Sequence, residues 1–198
     1  MIEEINDPFE LFELWYEKAR KNKDVKDHTE LNLATSTKEG KPSNRMVLLK
    51  AHDKRGFVFY TNLTSRKGKE IADNPYASMC FYWQALGRQV RIEGRLEQVS
   101  DQEADDYFAS RHHSSQAGAW ASKQSQIMEH KDDLRKRDKE FEDKYANNKK
   151  IPRPEFWSGM RLIPSSIEFW EDGKYRLHKR KKFTRASENK WEINILYP

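Results

Sequence analysis

Ile167-Glu-Phe-Trp-Glu-Asp-Gly-Lys-Tyr-Arg-Leu-His-Lys-Arg180 is the stretch around which the rest of the sequence falls into place. Asp172-Gly173 is a strong hairpin signal, because glycine supplies the positive φ that tight turns between strands require. The segment therefore reads as two short antiparallel strands. Side chains alternate along a strand, so after the turn Arg176, His178 and Arg180 would share one face, with Tyr175 and Leu177 on the other. Two fixed cations flanking an imidazole suit an anion or an electron-rich ring. A solvated basic edge strand is an equal contender, since Lys and Arg commonly protect sheet edges.

Composition narrows the classes. A chain of 198 residues fits one domain, here residues 1–198. Charged residues make up 35%, but 12% are aromatic, with six Trp, and disordered chains lack aromatics at that level. The net charge of +5 favours acidic or phosphorylated ligands and permits nucleic acid. Cys80 is the only cysteine, which excludes an intramolecular disulfide and a cysteine-based zinc site; it sits in an apolar run and is expected to be a buried thiol. No metal site is expected. No apolar run is long enough to span a membrane, and Met-Ile-Glu-Glu lacks the order of a signal peptide, so a cytoplasmic protein is expected.

Taken in order, Asp7-Pro8 caps and opens an amphipathic helix over about 8–21. Leu31–Ser36 is an alternating strand. Arg45–Lys50 is a second, so continuously apolar that burial on both faces is expected. Phe57–Thr61 is a third after the Asp53–Gly56 turn, and such closely spaced hairpins favour an antiparallel barrel over a βαβ sheet. Thr64 or Ser65 would cap a short helix whose N-terminus is a natural phosphate seat. Arg66 and Lys67 oppose the helix dipole there unless an anion is present. Ala77–Trp83 and Gln89–Gln98 are further strands. Ser100-Asp-Gln-Glu103 is a capping box that starts a helix through Tyr107 and Phe108 to about Arg111. Tyr107, Arg111 and Ser115 recur every four residues and would align on one helical face, where they could donate to a second anion. The small residues of Ala117–Ser125 suggest close approach to another chain or a ligand. A charged helix over about 126–147 reads as solvent-facing. Met160–Ile163, the hairpin, and Trp191–Leu196 complete the sheet.

Several specific runs stand in order along most of the chain. They are Arg45-Met-Val-Leu-Leu-Lys50, Phe59-Tyr-Thr-Asn62, Ser65-Arg-Lys67, Arg88-Gln-Val90, Ser110-Arg111 with Ser115-Gln-Ala-Gly-Ala-Trp-Ala-Ser-Lys-Gln-Ser125, Phe156-Trp-Ser-Gly159, and Ile167-Glu-Phe-Trp170 with Arg176-Leu-His178. In this combination they resemble the pyridoxamine 5′-phosphate oxidase family. The resemblance implies a mainly β fold with flanking helices (α+β), an antiparallel FMN-binding split β-barrel, assembled as a homodimer with FMN in clefts between subunits. It implies that Arg45, Met46, Val47, Leu48, Leu49, Lys50, Tyr60, Thr61, Arg66, Lys67, Gln89, Gln124, Ser125, Trp170 and Arg180 line the flavin, with Arg45, Arg66 and Lys67 at its phosphate. Lys50, Tyr107, Arg111 and Ser115 would grip the substrate phosphate. Arg176, Leu177 and His178 would meet the substrate ring, Arg176 and His178 as the catalytic pair.

The implied reaction oxidises pyridoxamine or pyridoxine 5′-phosphate to pyridoxal 5′-phosphate, with hydride passing to FMN and dioxygen reduced to hydrogen peroxide. Since both Trp170 and Arg176 would face the flavin, a three-residue or irregular turn pairing them is expected in place of a two-residue turn pairing Trp170 with Tyr175. Departures from the family pattern are His112-His113 where Pro usually follows Arg111, Ile195-Leu-Tyr-Pro198 at the C-terminus, and a start close to the first helix, which is expected to affect lid closure. The competing readings are a flavin-binding barrel without this activity and a basic barrel that binds nucleic acid.

Overall fold

The computed structural model describes residues 4–146, 150–188 and 190–198. Helix α1, Pro8–Lys21, begins as its sequence dictates: Asp7 Oδ1 accepts from the backbone N–H of Phe9 at 2.8 Å and of Glu10 at 3.2 Å. Its apolar stripe of Leu11, Phe12, Trp15 and Ala19 is buried against Phe57, Phe81 and Phe169. Burial of each large side chain contributes roughly 1.5–3 kcal/mol, so this stripe anchors the helix over one face of the sheet.

Among the described residues the sheet has nine strands, all paired antiparallel: β1 Glu30–Ser36, β2 Pro42–Leu48, β3 Ala51–Asp53, β4 Gly56–Asn62, β5 Tyr76–Trp83, β6 Arg88–Gln98, β7 Trp157–Glu171, β8 Lys179–Ser187 and β9 Lys190–Leu196. The path runs β2-β1-β5-β6-β7-β4-β3, with β8 on β7 and β9 on β8. Because β2 and β3 are nearly adjacent in the chain, the two ends of this path meet, and the Lys50 N–H donates to Val58 O at 2.8 Å. The sheet thus curls into an incomplete barrel.

Strand β7 has 15 residues and three partners. One edge pairs β6; the other pairs β4 through Trp157–Leu162 and then β8 through Ser166–Glu171. The sequence reading divided this strand in two around Pro164. The register instead skips Ser165 opposite Glu93/Gly94, a bulge that lets a proline lacking its N–H sit within a long strand.

Helices α2 Arg66–Asp73, α3 Asp101–Ser110, α4 His113–Ala121 and α5 Asp133–Tyr145 flank the barrel. Ser65 and Ser100 are the N-caps of α2 and α3. Helix α5 is shorter than the expected 126–147: Gln126–Asp132 turns without forming helix, and position 147 lies outside the described residues. Ala117 and Ala121 of α4 are buried, and an added Cβ on Gly118 would sit 3.6 Å from Asp138 of α5, so the small residues serve helix–helix packing as well as the cavity described below. Cys80 is half-buried, not fully buried.

Two expectations fail on register. Strand β2 is not buried on both faces. It is the sheet edge, with Met46 59% and Leu48 37% exposed, so its apolar run faces outward. The hairpin closes through the seven residues 172–178, with Trp170 paired to Arg180 and Glu171 to Lys179. Neither Tyr175 nor Arg176 pairs with Trp170. The turn is irregular as expected, but the alternation of Arg176 and His178 on a strand face is lost, because Tyr175 and Arg176 adopt left-handed φ of 57° and 65°. Gly173 permits the loop: a Cβ there would lie 2.0 Å from Leu177 O.

Candidate active site

A cavity of about 540 Å³ opens between the barrel and the α3–α4 pair. Edge strand β2 supplies Arg45, Met46, Val47 and Leu48, Lys50 follows, and β4 supplies Tyr60, Thr61 and Asn62. Lys67 enters from the first turn of α2, Tyr107, Arg111 and Ser115 from the α3–α4 junction, and the small residues Gly118, Ala119 and Ser122 with Gln124 and Trp157 complete the lining.

At one end, Lys67 Nζ donates to Gln124 Oε1 at 2.8 Å and to Ser65 Oγ at 3.4 Å. Burial and the neighbouring Arg45 pull its pKa down to about 8. Arg45 is held by its own chain, donating to Leu33 O at 3.2 Å, Thr35 Oγ1 at 2.6 Å and Glu70 Oε2 at 3.3 Å, and to Ser43. Burial would raise the Glu70 carboxyl, but hydrogen bonds from Ser43, Thr35 and Arg66 hold it at about 2. Arg66 Nε donates to Glu70 at 2.9 Å. The basic first turn of α2 therefore splits: Arg66 is neutralised by Glu70 one turn on, outside the cavity, while Lys67 faces in.

At the other end the rings of Tyr60 and Tyr107 stack at 3.9 Å and 17°, and Trp157 lies 5.2 Å from Tyr60 at 14°. Gly159, paired with Tyr60, makes room for this wall, since a Cβ there would come within 2.8 Å of the ring. The Arg111 guanidinium lies 4.8 Å over Trp157, its pKa lowered by burial. Its Nη1 is buried with no hydrogen-bond partner among the described residues, on a guanidinium seated against the faces of Phe108 and Trp157. Arg111 also lines the cavity, and a guanidinium there is suited to pair an anion through its remaining donors.

Tyr107, Arg111 and Ser115 meet as expected, but not on one helix. Helix α3 ends at Ser110, Arg111 is extended, and α4 starts at His113. His113 Nε2 lies 3.2 Å from Tyr145 O, and His112 makes no side-chain cap. Leu49 points into the core at 2% exposure. Ser125, at φ 68°, lines a neighbouring hollow instead. Asn62, Ser122 and Trp157 were not anticipated as site residues; Asn62 Nδ2 donates to Ser122 O at 3.4 Å. Their signal lay within the quoted runs Phe59–Asn62, Ser115–Ser125 and Phe156–Gly159.

The remaining candidates form a second group away from the cavity. Gln89, Trp170 and Arg180 stand in register across β6, β7 and β8. His178 packs 4.6 Å from the Trp170 ring, with Nδ1 3.0 Å from Asp172. Glu168 holds Arg180 at 2.9 Å. Arg176 and Leu177 are exposed on the loop.

Comparison with known proteins fits this layout. Residues 19–144 match the profile described as pyridoxamine 5′-phosphate oxidase, and residues 157–198 match the pyridoxine 5′-phosphate oxidase C-terminal dimerisation region. The pyridoxine/pyridoxamine 5′-phosphate oxidases of Pelagibacter ubique and Trichormus variabilis are 51% and 48% identical, over 97% and 100% of this chain and 92% and 91% of theirs. Among solved structures, Burkholderia lata PhzG in complex with tetrahydrophenazine-1-carboxylic acid superposes with a TM-score of 0.91 at 32% identity, over 99% of this chain and 95% of that one. A Nostoc punctiforme pyridoxamine 5′-phosphate oxidase-related, FMN binding protein shares the fold, with a TM-score of 0.75 at 16% identity over 98% and 100%. Near-complete coverage at about half identity, on a barrel whose cavity gathers the quoted motifs, places the chain in the pyridoxamine 5′-phosphate oxidase family.

Proposed function

We propose that this chain, working as one domain in a homodimer, oxidises pyridoxamine or pyridoxine 5′-phosphate to pyridoxal 5′-phosphate with FMN as cofactor and dioxygen as final acceptor. The observation that carries this is the cavity's pair of cations, Lys67 at one end and Arg111 at the other, with the stacked Tyr60, Tyr107 and Trp157 rings walling the Arg111 end. Two phosphates and two flat rings match that arrangement. Bound FMN would supply hydride acceptance at N5 and electron transfer to dioxygen.

The chain's own residues bind and orient. Lys67, with Gln124 and Thr61 beside it, holds the flavin phosphate, with Arg45 behind as a fixed positive charge. Lys50, Tyr107, Arg111 and Ser115 hold the substrate phosphate, and this remote binding fixes the reacting carbon against the flavin. Gln89, Trp170, Arg180 and the loop bearing Arg176, Leu177 and His178 reach the cavity from a second copy. The match of residues 157–198 to a dimerisation region supports this. Arg176 then holds the substrate ring, and His178, packed on Trp170 with its Nδ1 accepting from the Gly173 N–H, orients it or exchanges a proton.

The test is to purify the protein, record its spectrum and assay peroxide and pyridoxal phosphate formation. A yellow protein that oxidises pyridoxamine phosphate is expected. A yellow protein that turns over neither vitamer would favour a flavin-binding barrel of other use. No helix among the described residues is long and apolar enough to cross a membrane.

A further inference from the structure

Arg153 lies outside the cavity, in the loop before β7, yet all three of its guanidinium nitrogens are engaged. Its Nε donates to Asp105 at 2.6 Å, its Nη2 to Asp101 at 2.8 Å, and its Nη1 to the backbone carbonyl of Trp157 at 2.9 Å. The side chain is only 11% exposed. Burial alone would lower its pKa, but the two carboxylates raise it. We infer that Arg153 is a positioning residue that sets the height of Arg111 and Tyr107 over the cavity, and so the affinity for the substrate phosphate. This rests on the reading of Arg111 as a phosphate ligand.

The geometry is that of a clasp between two elements. Asp101 and Asp105 lie one turn apart on α3, and Trp157 is the first residue of β7. Helix α3 leads directly to Tyr107 and Arg111, while β7 carries the Trp157 ring. Tyr107 is parallel to that ring within 3° at 6.2 Å, and Arg111 lies over it at 4.8 Å. The separation of α3 from the head of β7 therefore decides where the Arg111 fork points. A planar guanidinium can serve all three acceptors in one plane; an ammonium on a flexible stem cannot fix both elements in the same way.

The two carboxylates add little stability, being 79% and 56% exposed; the buried part of the clasp is the Arg153 bond to the Trp157 carbonyl, which a lysine at 153 can replace with a single charged donor. The clasp's effect is on position, and small misplacements of a binding group are expensive in function.

The test compares Arg153→Lys, Asp105→Asn and Arg111→Lys in the FMN-loaded dimer. Anaerobic rapid mixing with pyridoxine 5′-phosphate and with unphosphorylated pyridoxine gives each dissociation constant from the concentration dependence of the flavin-reduction rate, and is paired with FMN content and thermal midpoint. Arg153→Lys should weaken pyridoxine 5′-phosphate binding roughly five- to tenfold, leave pyridoxine binding and FMN content unchanged, and shift the midpoint by less than about 2 °C. Asp105→Asn should act in the same direction, less strongly. Equal losses for both ligands, or loss of FMN, would overturn the inference by making the clasp merely structural. So would an unchanged phosphate affinity in Arg153→Lys when Arg111→Lys weakens it. If Arg111→Lys itself has no effect on phosphate affinity, the phosphate reading of Arg111 falls, and the role of Arg153 with it.

Discussion

Lys67 is a cation whose charge depends on what it meets. Burial and Arg45 bring its pKa to about 8, within reach of ordinary buffers. A phosphate dianion beside it favours the protonated form. FMN retention should therefore weaken as pH rises through about 8, while riboflavin, lacking the phosphate, should show no such dependence. Lys67→Ala should cost FMN binding about 1.5–3 kcal/mol and abolish the pH effect; equal losses for FMN and riboflavin would mean that Lys67 acts through folding. Glu70 behaves oppositely. Held at about 2 against a usual 4.5, it contributes stability that is fully present above its unfolded value and is lost as pH falls toward the folded one. The gap in unfolding free energy between the parent and Glu70→Gln should thus narrow between about pH 5 and pH 3; a constant gap in denaturant titrations would show that the carboxylate's charge is not what matters. Both residues occupy a segment that the sequence marked as a phosphate seat. What could not be read there was the division of labour between Arg66 and Lys67, because it depends on Glu70 and on partners in β1 and β2 that are distant in sequence.

Among the elements, the loop 172–178 was the hardest to foresee. Asp172-Gly173 is a local turn signal, but the chain passes through left-handed backbone at Tyr175 and Arg176, residues without the glycine that would announce it. Here Gly173 is needed for close approach, at φ −132°, and not for a positive φ. Gly173→Ala would set a Cβ 2.0 Å from Leu177 O and force the loop to rebuild. Turnover should fall while the thermal midpoint hardly moves, since exposed loops contribute little to global stability; unchanged kcat/KM would remove the loop from the site. The end of α3 near Arg111 was foreseen although neither glycine nor proline marks it; the separate helix that restarts at His113 was not. By contrast α1, the Ser100 cap and strands β1, β4, β5 and β6 were legible, because capping and alternation are set by neighbours in sequence. Strand β2 misled for a physical reason: an apolar run does not tell a buried strand from one that borders a cavity, and Met46, Val47 and Leu48 line the cavity.

The whole molecule divides its candidate residues between a cavity and a strip on β6, β7 and β8 that lies away from it. If two copies complete one site, flavin retention and association must be linked. Dilution should release FMN in step with dissociation of the dimer, followed by sedimentation and flavin fluorescence together; a monomer that holds FMN tightly would defeat the shared site. The three-way pairing of β7 has a consequence of a different kind, in the time order of biosynthesis. Strands β4 and β6 are translated long before residue 157 leaves the ribosome, yet each depends on β7 to cover an edge. The nascent chain therefore carries unpaired strand edges through most of its synthesis, and the barrel closes only when its last quarter emerges.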